Sequence, residues 1–570
     1  MKRQRLTAWL AWLCGTVLLA FRSTYDVDVW WHIAQGRHAL QGQPLHSNTL
    51  AAFHAQHPQT YTSWFFDAVA AWTWDLAGAT GIQFLQAVLT GWLLWALWRA
   101  CVRAGGGAWA PVATLVLGFI TLESRVMPRP HLVSMALLAT AVWLVEDVLH
   151  RKDARRLAWF IPLVAVWANT HAEAVLGAGL LGCVVLGSAV TRAPFPSAQL
   201  PVLGGITVAA GVALLATPYG TGLITYLREN GGVLDTIRIA ELLPPTVEGH
   251  AFFVMYAVVL LVVALPFHRR TALWELLWCC ALGYLAFQHR RFTGQFVVGT
   301  APLLARRLGW WMELGAPRLA VLGVCGVVAL VASGPRLAGL QQRLTLGDRA
   351  LLLEEMLPVR GMEVARRLGL QGPVFCSNSF GGYVAFSMGA AAPVFQDSRL
   401  QAYPMEHFRN IMFSNTPAAW EQLTRDVDWA VLSLARPNEM SGVGRFSPAL
   451  WTTVYLDEST QLLVRRTGRW ADVATQHGLV AFGPGLNVWL KANHHGPNAA
   501  AISNDANRLL TLQPHHLPAL AWRCVDGDGQ ACRDAWQLAL EKNRTDVLDQ
   551  LARGGHIPQL RVAPGLVVHP

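Results

Sequence analysis

Long apolar runs occupy residues 1–333, and shorter alternating segments of ordinary polarity occupy the remainder. The runs lie at 6–21, 81–101, 109–122, 130–149, 157–169, 172–191, 200–217, 250–267, 272–287, 292–304 and 317–333. A straight crossing of a bilayer needs roughly 20 residues, so the shorter runs have boundaries displaced by a few positions. The pattern predicts a polytopic α-helical membrane protein of about 11 spans. An α/β domain at 344–467 and a helical tail at 478–553 are expected to follow.

Lys2, Arg3 and Arg5 precede the first run, Leu6 to Phe21, in the manner of a signal peptide. No small-residue cleavage site follows it, so a retained span with a cytoplasmic N-terminus is predicted. Counting from there, the cytoplasmic loops hold Arg99, Arg103, Arg151, Lys152, Arg155 and Arg156. Later ones hold Arg192, Arg269, Arg270, Arg306, Arg307 and Arg318. That is a positive-inside distribution, and it places the C-terminal part outside.

Composition agrees. Hydrophobic residues make up 53% of the 570 and charged residues 14%, which excludes disorder and a small disulfide-stapled fold. The formal charge of +10 is first loop charge and only second an anion-binding surface. No Walker-type glycine loop is present, so nucleotide hydrolysis is unsupported, and no nucleic-acid partner is expected.

The same alternation sends many polar residues to the outer side. Among them are Asp26, Asp28, His32, Glu123, Arg125, Arg129, His131, Asn169, His171 and Glu173. Arg228, Glu229, Glu241, His250, His289, Arg290 and Arg291 join them. Ionisable groups at membrane depth are costly, so their convergence on one face points to a functional site. Asp26 and Asp28 could share a cation, or one could act as general base while the other orients it. Alternatively, Asp28 stands near the N-terminus of an interfacial helix, Ile33 to Leu40. Asn169, His171 and Glu173 form either a metal site or, more simply, a hydrogen-bonded helix end. Cys524 and Cys532 flank a turn, and an oxidising exterior would let them pair.

In the order of these features the sequence resembles bacterial members of the GT-C glycosyltransferase superfamily. One span precedes Asp26-Val27-Asp28 and Trp30-Trp31-His32, and a long outer loop contains Gly42-Gln43-Pro44 and Thr62-Ser63-Trp64-Phe65-Phe66-Asp67. Arg129-Pro130-His131, Trp167-Ala168-Asn169-Thr170-His171 and Thr217-Pro218-Tyr219-Gly220 follow. Glu241-Leu242-Leu243-Pro244-Pro245 and Arg290-Arg291-Phe292 complete the series.

The resemblance implies transfer of a sugar from a polyprenyl-phosphate carrier at the outer face of a bacterial inner membrane. It puts the catalytic base, or the ligands of a divalent cation such as Mg or Mn, on Asp26 or Asp28. Arg129, Arg290 and Arg291 are candidates to hold the carrier phosphate, with headgroup snorkelling as the other explanation. His32, His131, Asn169, His171 and Glu241 are expected in substrate binding. The acceptor, whether glycan, lipid or protein, is not specified.

In the exterior part, strands are predicted around 373–376, 393–397, 429–432, 453–457 and 461–465, the last two as a hairpin. Ser377 to Gly382 reads as turns shaped by Gly and Asn, or as an anion cradle. The tail, from Ala506 through Leu551, resembles degenerate tetratricopeptide-like units that would offer a protein partner a surface. A non-catalytic transporter or envelope-assembly scaffold is the rival reading. The absence of a repeat across the spans argues against a transporter.

Overall fold

The computed structural model describes residues 12, 16, 26–105, 109–123, 125–226, 240–313, 356–435, 440–542 and 544–556. The expected span at 317–333, most of that at 6–21, Arg228, Glu229 and the start of the α/β domain lie outside the described residues, as does the Glu123 side chain. The chain divides into two units, Met1–Thr49 with Pro58–Leu351, and Leu50–His57 with Leu352–Pro570.

The first unit is helical. Helix α1, Val29–Leu40, begins earlier than the expected Ile33, and Asp28 occupies its N-cap position without making a side-chain cap bond. Helix α2, Trp64–Arg103, is broken at Ala77 and Gly78, the latter with φ +56°. The aromatic segment expected in a loop is therefore the first turn of α2. Gly36 of α1 faces this turn, and a Cβ there would sit 1.9 Å from the Asp67 carbonyl oxygen. Only glycine permits that crossing.

Helices α3 (Ala110–Glu123), α4 (Pro130–Arg151), α5 (Phe160–Ala168), α6 (Val175–Thr191) and α7 (Leu200–Ala213) lie over the expected apolar runs. So do α8 (Ala251–Ala264), α9 (Leu273–Gln288) and α10 (Thr293–Glu313). Among the described residues, four segments are long and apolar enough to cross a membrane: Trp64–Arg103, Pro130–Arg151, Ala172–Thr191 and Ala251–Arg270. Of the others, α5 and α7 are shorter than the expected runs, whereas α10 has 21 residues. The 9 residues of α5 rise only about 14 Å, less than half the ~30 Å of a hydrocarbon core.

Some of the basic residues assigned to cytoplasmic loops tie helices together instead. Arg306 of α10 bonds both carboxylate oxygens of Glu146 in α4, at 2.9 and 2.8 Å, and also meets Glu275 in α9. Arg103 at the end of α2 meets Asp147 at 2.9 Å.

The second unit contains a four-stranded sheet of order β1-β2-β4-β3. Strand β1 (Val374–Cys376) runs parallel to β2 (Trp429–Ser433), while β4 (Thr460–Arg465) is antiparallel to both β2 and β3 (Trp451–Leu456). The predicted hairpin is the β3–β4 pair. The strand expected at 393–397 is reduced to bridges from Val394 to Val374 and to Ala51.

Ser377 to Gly382 is not a run of turns. It opens helix α11, Asn378–Met388. Gly381 packs against the Gln396 carbonyl, and Ser377 Oγ donates to the Ser441 carbonyl at 2.7 Å. Helices α12 (Met405–Phe413) and α13 (Pro417–Leu423) then lead into β2. In the tail, amphipathic helices Ala499–Leu512, Leu517–Val525, Gly529–Glu541 and Thr545–Arg553 pack in sequence, and Cys524 and Cys532 form a disulfide. Leu517, Leu520, Ala535, Leu538 and Leu551 make their core.

Candidate functional site

The residue before a proline is biased toward extended backbone. Arg129 precedes Pro130 and has φ −127° and ψ 162°, which leaves it just outside α4. Its guanidinium embraces the first-loop carboxylates. Nε lies 2.7 and 2.8 Å from the two Asp26 oxygens, Nη2 lies 2.6 Å from Asp26 Oδ1, and Nη1 lies 2.7 Å from Asp28 Oδ2. Asp26 Oδ1 also accepts the Asp28 N–H at 2.9 Å. The one-residue spacing thus forms a local side-chain turn, which sets both carboxylates toward one cation.

The two acids are not equivalent. The Asp26 side chain is 2% exposed and that of Asp28 is 20% exposed. Asp26 is sealed under Arg129, and Asp28 is the more accessible of the two.

Glu241 completes this group, with Oε1 3.7 Å from Nη1 of both Arg125 and Arg129. It is brought there by the pairing of two turns. His289 Nδ1 donates to the Leu242 carbonyl at 2.7 Å, and the Arg290 N–H donates to that of Leu243 at 2.9 Å. His131 Nε2 donates to the Arg125 carbonyl at 2.7 Å, closing the turn before α4. Arg125 is buried, and Gly294 of α10 lets its stem pass, since a Cβ there would stand 3.2 Å from Arg125 Cγ.

The electrostatics are uneven. Burial works against the charge on Arg129, but Asp26 and Asp28 outweigh it and hold the guanidinium well above its ordinary range. Burial would also raise the Glu241 carboxyl, yet Arg129 and Arg125 hold it below its usual value. Arg125 is different. Burial makes its proton easier to lose, the attraction of Glu241 only partly offsets this, and Arg291 and Arg129 repel it. Its buried Nη2 has no hydrogen-bond partner among the described residues.

A second group adjoins the first. Gln295 Nε2 donates to both Glu173 oxygens, at 3.0 and 2.9 Å, and Arg291 Nη2 lies 3.8 Å away. His171 Nδ1 is 3.6 Å from Glu173 and 3.1 Å from Ser134 Oγ, which accepts from Trp167 Nε1 at 2.5 Å.

Asn169 plays a different part. Its amide accepts from Trp64 Nε1 at 2.9 Å and donates to the carbonyls of Ala216 at 2.7 Å and Ala165 at 2.8 Å. That is the hydrogen-bonded helix end. His32 donates from Nδ1 to Asp67 Oδ1 at 2.7 Å, with both residues buried. Asp28 does stand at the N-terminus of α1, but its carboxylate pairs with Arg129 and makes no side-chain cap bond there.

Of the many polar residues expected on the outer side, the structure brings Asp26, Asp28, Arg129 and Glu241 together. Sequence reasoning placed Arg125 on the outer side without a specific role and Glu173 in a metal site or helix end, and it gave no role to Gln295 or Asp67. Gln295 was detectable as an amide inside an apolar span, and Asp67 as an acid among aromatic residues.

Carboxylates are donors that a hard cation takes, but Arg129 spans both Asp26 oxygens and Asp28 Oδ2, so an ion there would have to displace the guanidinium. Among the described residues, the group of three potential ligands with closely gathered atoms is Cys524, Cys532 and His556, of which the two cysteines are joined in the disulfide. A divalent ion at Asp26 and Asp28 would draw its other ligands from water or substrate phosphate, as Mg commonly does.

No family model matches the sequence, and no curated protein matches it. Solved structures do. The apo crystal structure of the Archaeoglobus fulgidus oligosaccharyltransferase superposes with a TM-score of 0.52 at 12% identity, covering 75% of this chain and 69% of that one. The same enzyme in complex with Zn and sulfate superposes with a TM-score of 0.46 at 12% identity, covering 75% and 67%. The first superposition shows the fold: this chain is built like that oligosaccharyltransferase.

Proposed function

We propose that the chain is a membrane glycosyltransferase that moves a sugar from a polyprenyl-phosphate carrier to an acceptor at the outer face of a bacterial inner membrane. The observation that carries this reading is Arg125, a buried guanidinium with an orphan donor, beside Arg129, Arg291 and the first-loop carboxylates. A buried unmade hydrogen bond costs about 1–3 kcal/mol, and more for a charged group. A phosphate oxygen would remove that cost.

The roles follow from the geometry. As the bond from sugar to carrier breaks, negative charge gathers on the phosphate, and guanidiniums already in place stabilise it. Arg125 and Arg291 are assigned to that phosphate. Asp28 accepts the proton of the acceptor hydroxyl, and Asp26 positions Arg129. A divalent cation, when bound, would be held by Asp26 and Asp28 and would neutralise phosphate charge. The likeness to an oligosaccharyltransferase supports the class of reaction, and the four apolar helices support the membrane setting.

The N-terminus is assigned to the cytoplasm and residues 334–570 to the exterior. One fact of connectivity supports this. Leu50–His57, from the first outer loop, folds into the same unit as the C-terminal region, as expected if both lie on one side of a membrane. The helical tail would serve a protein partner there. The test is to extract lipids and glycans from a deletion strain. Accumulation of a polyprenyl-linked sugar is the expected result, and unchanged lipid-linked sugars and glycans would overturn the reading.

A further inference from the structure

A cavity of about 490 Å³ opens within the second unit, between the Leu50–His57 segment and helices α12 and α13. This size lies inside the roughly 300–1,000 Å³ of ligand pockets. One wall is pinned in place by main-chain bonds. The Ala52 N–H donates to the Val394 carbonyl at 2.8 Å, and the Val394 N–H donates to that of Leu50 at 3.0 Å. Side chains reinforce it. His54 Nε2 meets His407 Nδ1 at 3.0 Å, and Phe53 sets its edge against Phe395 with centroids 5.6 Å apart. A wall held in this way is formed before any ligand arrives.

We propose that this pocket binds a saccharide unit of the acceptor. Phe53 is 42% exposed and offers a flat apolar face to the C–H face of a sugar ring. Around it stand Glu406, Asn410, Gln422 and Asp426. Carboxylates accept hydrogen bonds, and amides both donate and accept, which matches a ring of hydroxyls that do both. A phosphorylated ligand fits less well, because Arg425, the cation in the lining, is paired with Asp426 at 3.2 Å. The inference rests on the glycosyl-transfer reading for the pocket's role, and identifies the acceptor class as a glycan.

The experiment uses the full chain in detergent micelles and saturation-transfer NMR with maltose, cellobiose and N,N′-diacetylchitobiose. At least one disaccharide should take up saturation. Phe53→Leu and Gln422→Ala should each weaken its binding about three- to ten-fold. Asp28→Asn should leave binding unchanged while abolishing transfer, so the pocket and the catalytic assignment fail separately. The proposal is overturned if no disaccharide receives saturation, if both pocket variants bind as the wild type does, or if only a control peptide binds.

Discussion

Arg129 and Asp26 stand 103 positions apart in the chain, yet the guanidinium spans both oxygens of a carboxylate that is 2% exposed. Removing one partner of such a pair leaves an uncompensated buried charge, at a cost of about 3–5 kcal/mol. Arg129→Ala should therefore lower the melting temperature of the detergent-solubilised protein sharply. Asp26→Asn with Arg129→Gln should lose less than the sum of the single changes. Additive losses would mean that the pair is not coupled.

Asp28 should separate chemistry from folding. Asp28→Asn nearly preserves shape, so the protein should still insert and melt normally, while transfer falls about 10²–10⁴-fold, as for loss of a general base. Loss of wild-type activity with chelator, restored by Mg or Mn, would assign the carboxylate to a metal. Chelator-insensitive transfer that declines on acidification would assign it to the proton.

Arg291 tests phosphate binding against snorkelling. Its side chain is 34% exposed and lies 3.8 Å from Glu173. Arg291→Lys keeps the charge but loses the planar fork, so donor binding should weaken while the fold persists. Donor binding and turnover that survive Arg290→Ala and Arg291→Ala would leave headgroup contact as the explanation.

Topology is checked with protease added to intact spheroplasts. Residues 334–570 should be digested. Protection until lysis would place them in the cytoplasm.

The second unit should lose stability in acid. Burial first, and then the neighbouring His54, push the His407 imidazole down to about 4 from its ordinary 6.5. The unfolded chain takes up this proton near pH 6.5 and the folded chain only near 4. The contribution is therefore complete above 6.5, declines through that window, and is gone below it. Its size is about 3 kcal/mol. Melting of the full chain between pH 7.5 and 4 should follow this slope at roughly that scale, and His407→Phe should flatten it.

The sequence by itself determined where the helices of the first unit lie, because an apolar run must be shielded from water wherever it is placed. Two short-range features were also legible, the β3–β4 hairpin and the Cys524–Cys532 pair, whose partners are separated by few residues. Only the tertiary structure decided that Arg129 closes on Asp26, that Gln295 reaches Glu173 across 122 positions, and that Leu50–His57 leaves the first unit for the second. It also decided that Asn169 clamps a helix end and that Arg125 keeps a buried donor unpaired. The physical reason is that propensity and hydropathy act over a few neighbouring residues. A hydrogen bond between distant positions depends instead on the register in which whole helices pack, which no local pattern encodes.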